Sequence, residues 1–223
     1  ALHPIAGDTQ MVRERPFRDF VSQIASTTPF THTRWGTGEW HAIFGERNGF
    51  IPKDGYWYFH SLCREVTDVL LRRPTYSLGL SRDTLSQFDG RIEDYINGCG
   101  LWDLDWTHDD QLKPATVDDV QRLLGVMSSK NLVMVGPPHL RKTWSVLRYK
   151  AFIDVPPKNA YLCKDEIICN TLAALENIKG HCIVSISAGI AASLVIDKLH
   201  NRVSHQHSLV DFGSTWEPFV RLR

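Results

Sequence analysis

The 223-residue sequence has no surplus of charge of either sign. Its 25 lysines and arginines face 25 aspartates and glutamates, for a formal net charge of zero. A protein that lives on general phosphate attraction usually carries a clear positive excess. Such binding is disfavoured here, although a local basic patch stays available. No apolar run reaches the roughly 18 residues of a membrane span. The first residues, ALHPIAGDTQ, lack the basic start and apolar stretch of a signal peptide. The absent initiator methionine suggests trimming. Cys63, Cys99, Cys163, Cys169 and Cys182 are odd in number, scattered, and form no C-x-x-C pair. That argues against a disulfide framework and a structural zinc site, and the expectation is reduced thiols in a cytoplasmic protein. There is no internal repeat or low-complexity tract. Neither G-x-G-x-x-G nor a P-loop G-K-S/T is present.

What is present suits one globular domain over residues 1–223, with 43% apolar and 22% charged residues. Helical periodicity runs through 16–26, where Phe17, Phe20, Val21 and Ile24 share a face. It returns at 61–73, which Pro74 stops, and at 117–129 and 140–150. Two more helices are expected at 164–178, with a stripe of Ile168, Leu172 and Leu175, and at 190–202, packed closely through Ala191 and Ala192. Short apolar runs at 31–35, 75–81, 131–137, 151–156, 181–189 and 207–213 read as strands. The acidic and aromatic stretch that begins at 82 resists assignment. Strands of this length alternating with helices predict an α/β fold with a Rossmann-like, mainly parallel sheet covered on both faces. Ligands of such sheets bind at the carboxyl ends of the strands. Residues 36–39, 187–189 and 211–214 all follow expected strands and should gather on one edge.

Several of these residues can carry chemistry. RWGTGEW (34–40) sets Arg34, Gly36, Thr37, Gly38 and Glu39 on one bend; a plain turn needs only a glycine. Its simpler reading is a tight strand-to-helix connection with a helix-starting acid. Ser187 and Gly189 lie in a strand-to-helix turn whose free amides could bind a phosphate, or merely let strand and helix pack. Lys158 offers a point charge, and Asn159 can bond a base or ribose; both also fit a proline-stiffened loop. Asp211 at a strand end could act as a base or cap a turn. Asp103 and Asp105 could hold a divalent ion, though two-apart acids on loops are common. His205 and His207 lack a third metal ligand and read as a solvated edge. Arg141, Trp144 and Arg148 fall on one face of the expected 140–150 helix. That face could follow a nucleic-acid backbone or be a solvated surface.

The order of these segments resembles a known family. A strand followed by R-[FW]-G-x-G-E, then P-x-K-N-A-[FY], a small-residue turn and D-[FI]-G is similar to the GT-D glycosyltransferase fold, from about residue 29 to the C-terminus. Residues 82–130 match poorly and are expected to be a variable acceptor-side region. The resemblance implies a UDP-sugar donor, UDP-glucose foremost, and a magnesium or manganese ion held by an acid-x-acid pair. That pair would fall on Thr37 and Glu39. A hydroxyl ligates these ions weakly, so metal dependence is in doubt and Glu39 is the remaining ligand. The expected donor site is Arg34, Gly36, Thr37, Gly38, Lys158, Asn159, Ser187 and Gly189, with Glu39 and Asp211 catalytic. Two acceptors compete. One is hydroxymethylated cytosine in DNA, as for enzymes of bacterial viruses, contacted by Arg141, Trp144 and Arg148. The other is a bacterial surface glycan or glycoprotein. DNA is placed ahead for want of a membrane anchor or companion domain. A nucleotide-binding module with a decayed catalytic pair is the reading from another class.

Overall fold

The computed structural model describes residues 12–45, 49–51, 56–109 and 116–220. The ALHPIAGDTQ start lies outside the described residues. The chain opens with α1 (Phe17–Ala25), β1 (Thr31–Arg34) and α2 (Thr37–Ile43). A small antiparallel hairpin follows, β2 (Gly49–Ile51) and β3 (Tyr56–Tyr58). Then come α3 (His60–Leu71), β4 (Ser77–Gly79), α4 (Arg82–Gln87), α5 (Arg91–Gly98), β5 (Trp106–Thr107) and α6 (Val117–Ser128). β6 (Asn131–Gly136) leads through a 3-10 helix, Pro138–Thr143, into α7 (Trp144–Leu147) and β7 (Ala151–Asp154). A second 3-10 turn, Ala160–Cys163, enters α8 (Lys164–Glu176), then β8 (Cys182–Ile186), α9 (Ala191–Val203), β9 (Ser208–Asp211) and α10 (Glu217–Val220).

Seven strands form one sheet in the order β5-β4-β1-β9-β8-β6-β7, and every neighbouring pair is parallel. Alternation along the strands separates two cores. Val133, Val135, Val184 and Ile186 pack under α8 and α9, with Leu78, Leu80 and the α3 stripe continuing that layer. Leu132, Met134, Ile183 and Val210 face the other way, toward Phe20 and Ile24 of α1, Leu123 and Met127 of α6, and Trp216. Strands buried on both faces need continuous apolar runs, which is why 131–136 and 182–186 lack a polar alternation.

The expected helix over 140–150 is replaced by the 3-10 helix and the single turn of α7, which ends at Arg148 in the left-handed region (φ +51°). Residues 82–109, within the 82–130 stretch expected to be a variable acceptor-side region, supply α4, α5 and the sheet strand β5. A two-residue strand has no period for a sequence pattern to show.

His32, in the middle of β1, is fully buried against Phe20, with Nδ1 3.1 Å from Ser77 Oγ and no partner at Nε2. Burial, with Arg15 and Arg34 nearby, lowers its pKa from 6.5 to about 3. The unfolded chain therefore takes up a proton below pH 6.5 that the folded protein refuses, and stability falls with pH between those values. This residue alone should cost about 2 kcal/mol between pH 7 and pH 5. Urea unfolding of His32→Asn at both pH values should show that loss reduced; an unchanged loss refutes the assignment.

Candidate active site

The register of the sheet places Gly79 beside Arg34, Ile186 beside Asp211 and Gly136 beside Asp154 at the carboxyl ends of the strands. Arg34 leaves β1 and the chain turns at once into α2. The Gly36 N–H donates to Glu39 Oε2 at 3.0 Å, so Glu39 folds back over the start of its own helix. A Cβ on Gly38 would lie 2.7 Å from Ile190 Cγ1. Its absence lets the turn after β1 pack directly on the turn after β8.

β9 brings Asp211. Its Oδ1 accepts the Gly213 N–H at 2.8 Å, and its Oδ2 faces the Arg34 N–H at 3.4 Å. Gly213 has φ +50°, and a Cβ there would collide with the Arg34 guanidinium. Asp109 arrives from β5, passing over Gly79, where a Cβ would stand 2.8 Å from both Asp109 Cβ and His32 Nε2. Asp109 Oδ2 accepts from Arg34 Nε at 2.7 Å, while its buried Oδ1 has no partner. Glu39, Asp109 and Asp211 are each more than nine-tenths buried, and the Arg34 side chain is 20% exposed.

The electrostatics follow from that crowding. Burial raises the Glu39 pKa from 4.5 to about 8, and the charge of Asp211 adds to the rise against the pull of backbone N–H groups and Arg34. Burial also raises Asp211, to about 6, although Arg34 and the Gly213 N–H hold it down. Burial opposes the Arg34 charge, but Asp109 and Asp211 outweigh it and its pKa rises. At neutral pH the site therefore holds an ionised Asp211, a largely protonated Glu39 and a fixed cation. Two carboxyl groups with separated pKa values can divide proton-accepting and proton-holding roles.

No protein-family model matches the sequence, and no curated protein is significantly similar to it. Solved structures are similar in fold. One, a highly conserved domain of unknown function 1792 described as having a distinct glycosyltransferase fold, superposes with a TM-score of 0.64 at 14% identity, over 94% of this chain and 82% of that one. Another, described as a new glycosyltransferase of the same domain type from Streptococcus sanguinis, gives 0.66 at 14% identity, over 93% and 84%. This chain has a glycosyltransferase fold.

Within that fold, Arg34, Gly36, Gly38, Glu39, Ser187, Gly189 and Asp211 come together on one edge of the sheet, because β1, β9 and β8 are adjacent and parallel. Ser187 Oγ is buried without a partner, and Gly189 (φ +55°) turns the chain into α9. Other expected site residues are engaged elsewhere. Thr37 turns its hydroxyl to Gln87 Oε1 at 2.9 Å. Asn159 uses Oδ1 to accept the Trp57 N–H at 2.8 Å, which ties the β3 hairpin to the loop after β7, while Lys158 is exposed beside it. Arg141 pairs with Asp154 through Nε (3.2 Å) and Nη2 (2.6 Å), and Arg148 stacks over Trp144. These three residues do not form the basic helical face expected of them. Asp103 pairs with Arg73 and Asp105 with Arg13, at the amino end of β5 and away from the site. His207 Nδ1 accepts the Cys182 N–H at 3.2 Å, a structural role. Asp109 and Gly79 were missed. Both act through contacts across the sheet, and nothing in their local sequence marks them.

The resemblance of the motif order implies a divalent ion. Among the described residues no group of three or more His, Cys, Asp or Glu side chains is arranged to hold one. Magnesium, however, is often bound by one or two carboxylates together with substrate phosphates. The carboxyl groups of Glu39 and Asp211 and the unpartnered Asp109 Oδ1 offer oxygen ligands beside the single cation of Arg34. The residues fit an ion shared with a diphosphate, not a cage built from protein alone.

Glu39 carries a folded-state pKa above its unfolded value, so the folded protein binds the extra proton and loses stability as pH rises from 4.5 to about 8. Glutamine keeps the acceptor for the Gly36 N–H and removes the buried charge. In EDTA, Glu39→Gln should raise the melting temperature at pH 8 and change it little at pH 5. An equal shift at both pH values, or a loss at pH 8, contradicts the burial argument.

Proposed function

We propose that the protein is a nucleotide-sugar-dependent glycosyltransferase, with a UDP-sugar such as UDP-glucose as donor and a hydroxyl as acceptor. The observation that carries this reading is the convergence of Arg34, Glu39 and Asp211 at the carboxyl ends of adjacent parallel strands in a glycosyltransferase fold.

Transfer requires a stabilised leaving diphosphate, a held sugar, and an acceptor for the hydroxyl proton. Arg34 is the permanent cation of the site, and the positive ends of α2 and α9 lie beside it. Asp211, with a pKa of about 6, is ionised at neutral pH and suited to take the proton as the hydroxyl oxygen bonds to the anomeric carbon. Glu39, once it gives up its proton, would hold a magnesium or manganese ion together with the donor phosphates, and the ion when bound would offset the charge of the departing diphosphate. Gly38 lets the turns after β1 and β8 meet, and Gly213 leaves room for the Arg34 guanidinium that faces the diphosphate. The DNA acceptor rested on a basic helical face over Arg141, Trp144 and Arg148. In the structure Arg141 is neutralised by Asp154. Hydroxymethylated DNA and glycan acceptors therefore enter the test on equal terms.

The decisive experiment incubates the protein with a panel of nucleotide sugars and both acceptor classes, and reads transfer by mass spectrometry. UDP-sugar turnover is expected, and folded Asp211→Asn should lose roughly 10²-fold or more, as removal of a positioned base does. Glu39→Gln should lose a comparable factor while staying folded. Stabilisation by ATP or NAD but not UDP, or full turnover in both variants, overturns the reading.

A further inference from the structure

A second crevice opens three strands away from the acid cluster. β6 leaves its carboxyl end through the 3-10 helix on the α1–α6 face, whereas neighbouring β7 leaves through Ala160–Cys163 into α8 on the opposite face. Adjacent parallel strands whose connections part in this way leave a gap where nucleotides bind. Gly136 lies at its base. The Val155 N–H donates to the Gly136 carbonyl at 3.0 Å, and a Cβ on Gly136 would approach Leu140 Cδ1 to 2.9 Å and Ser187 Cβ to 3.5 Å. Beside it is a cavity of about 270 Å³ lined by Pro138, Asp154, Val155, Pro156 and Glu166 among others.

Resting on the glycosyltransferase reading, we propose that this cavity receives the donor's ribonucleoside, with Asp154 accepting hydrogen bonds from the ribose hydroxyls. In dinucleotide-binding sheets an acid about 20 residues beyond the glycine turn, at the end of the next strand, does this work. Here Asp154 ends β7, pairs in register with Gly136, and follows it by 18 residues (154 minus 136). The two Arg141 hydrogen bonds hold the carboxylate, and Arg141 is itself fixed by its guanidinium lying 4.4 Å over the Phe152 ring. A carboxylate has about four lone-pair sites, so two bonds from Arg141 leave acceptor capacity for a ribose. Arg141 is thus a positioning residue for the donor rather than a contact for the acceptor.

The phosphates belong on the other wall of the crevice. Pro137 and Pro138 have no N–H to offer them. Across Gly136, Ser187 Oγ is buried and unpartnered, and α9 begins without a side-chain cap. Strands lie about 4.8 Å apart, so the three spacings from the β6–β7 gap to the β9–β1 gap span roughly 14 Å. That matches the reach of an extended nucleoside diphosphate sugar, which would bring its anomeric carbon to Asp211 and Arg34.

Calorimetric titration with UDP, 2′,3′-dideoxy-UDP and uridine tests the placement on the full chain. The wild type should prefer UDP over the dideoxy analogue by about tenfold or more, the size of a hydrogen bond to a charged group. Asp154→Asn should cut that preference to about threefold or less, and Arg141→Gln should weaken it in the same direction. Ser187→Ala should lower affinity for UDP but leave uridine unchanged. Asp154 and Arg141 are half-exposed, so both variants should fold, and circular dichroism verifies it. If the UDP preference survives in Asp154→Asn while the wild type still turns over UDP-glucose, the subsite is wrong and the glycosyltransferase reading stands. If the wild type neither binds UDP nor turns over a UDP-sugar, both fail.

Discussion

The guanidinium of Arg34 holds together side chains that would otherwise repel. Glu39, Asp109 and Asp211 reach one buried space from three elements, and Arg34 bonds or faces each of them. Removing one partner from a buried ion pair typically costs about 3–5 kcal/mol, because it leaves a charge without compensation. Arg34 is thus a structural tie between β1, β5 and β9 as well as the cation of the site. Even so, its single charge does not satisfy three acids. Asp109 Oδ1 is left without a partner, and burial raises the pKa values of Glu39 and Asp211 against the pull of Arg34.

Three glycines make that approach possible. Gly79 clears the path by which Asp109 crosses toward Arg34, and Gly213 clears the guanidinium itself. Gly38 lets the turns after β1 and β8 touch. In each case the missing Cβ admits a neighbour from a different strand or helix, so these positions serve packing across the sheet and not only a local bend. The same economy recurs at Gly136, where β6, β7 and β8 meet.

Most of the sheet and its helices were readable from the chain. The runs at 131–136 and 182–186 are apolar without alternation, as doubly covered parallel strands must be. The edge that gathers Arg34, Glu39, Ser187 and Asp211 followed from the parallel rule. The failures have a common cause. Over 140–150 the spacing of apolar residues suits an α-helix, but Pro137 and Pro138 just ahead of it and the tie between Arg141 and Asp154 go with a 3-10 helix and one turn. Asp103 and Asp105, read as ordinary loop acids ahead of a metal pair, each answer an arginine distant in sequence.

The sequence by itself determined the class of fold, the order of the elements outside 36–60 and 82–116, and which turns follow parallel strands. Those properties depend on periodicity, breakers and apolar runs, all of which are local. Only the tertiary structure decided that Asp109 joins the acids, that Asn159 serves the β3 hairpin, that Thr37 turns to Gln87, and that Arg141 orients Asp154. Each of those roles is a contact between residues 13 to 102 positions apart. Such a contact is set by strand order and register, and a one-dimensional pattern carries no record of which strand will lie beside which.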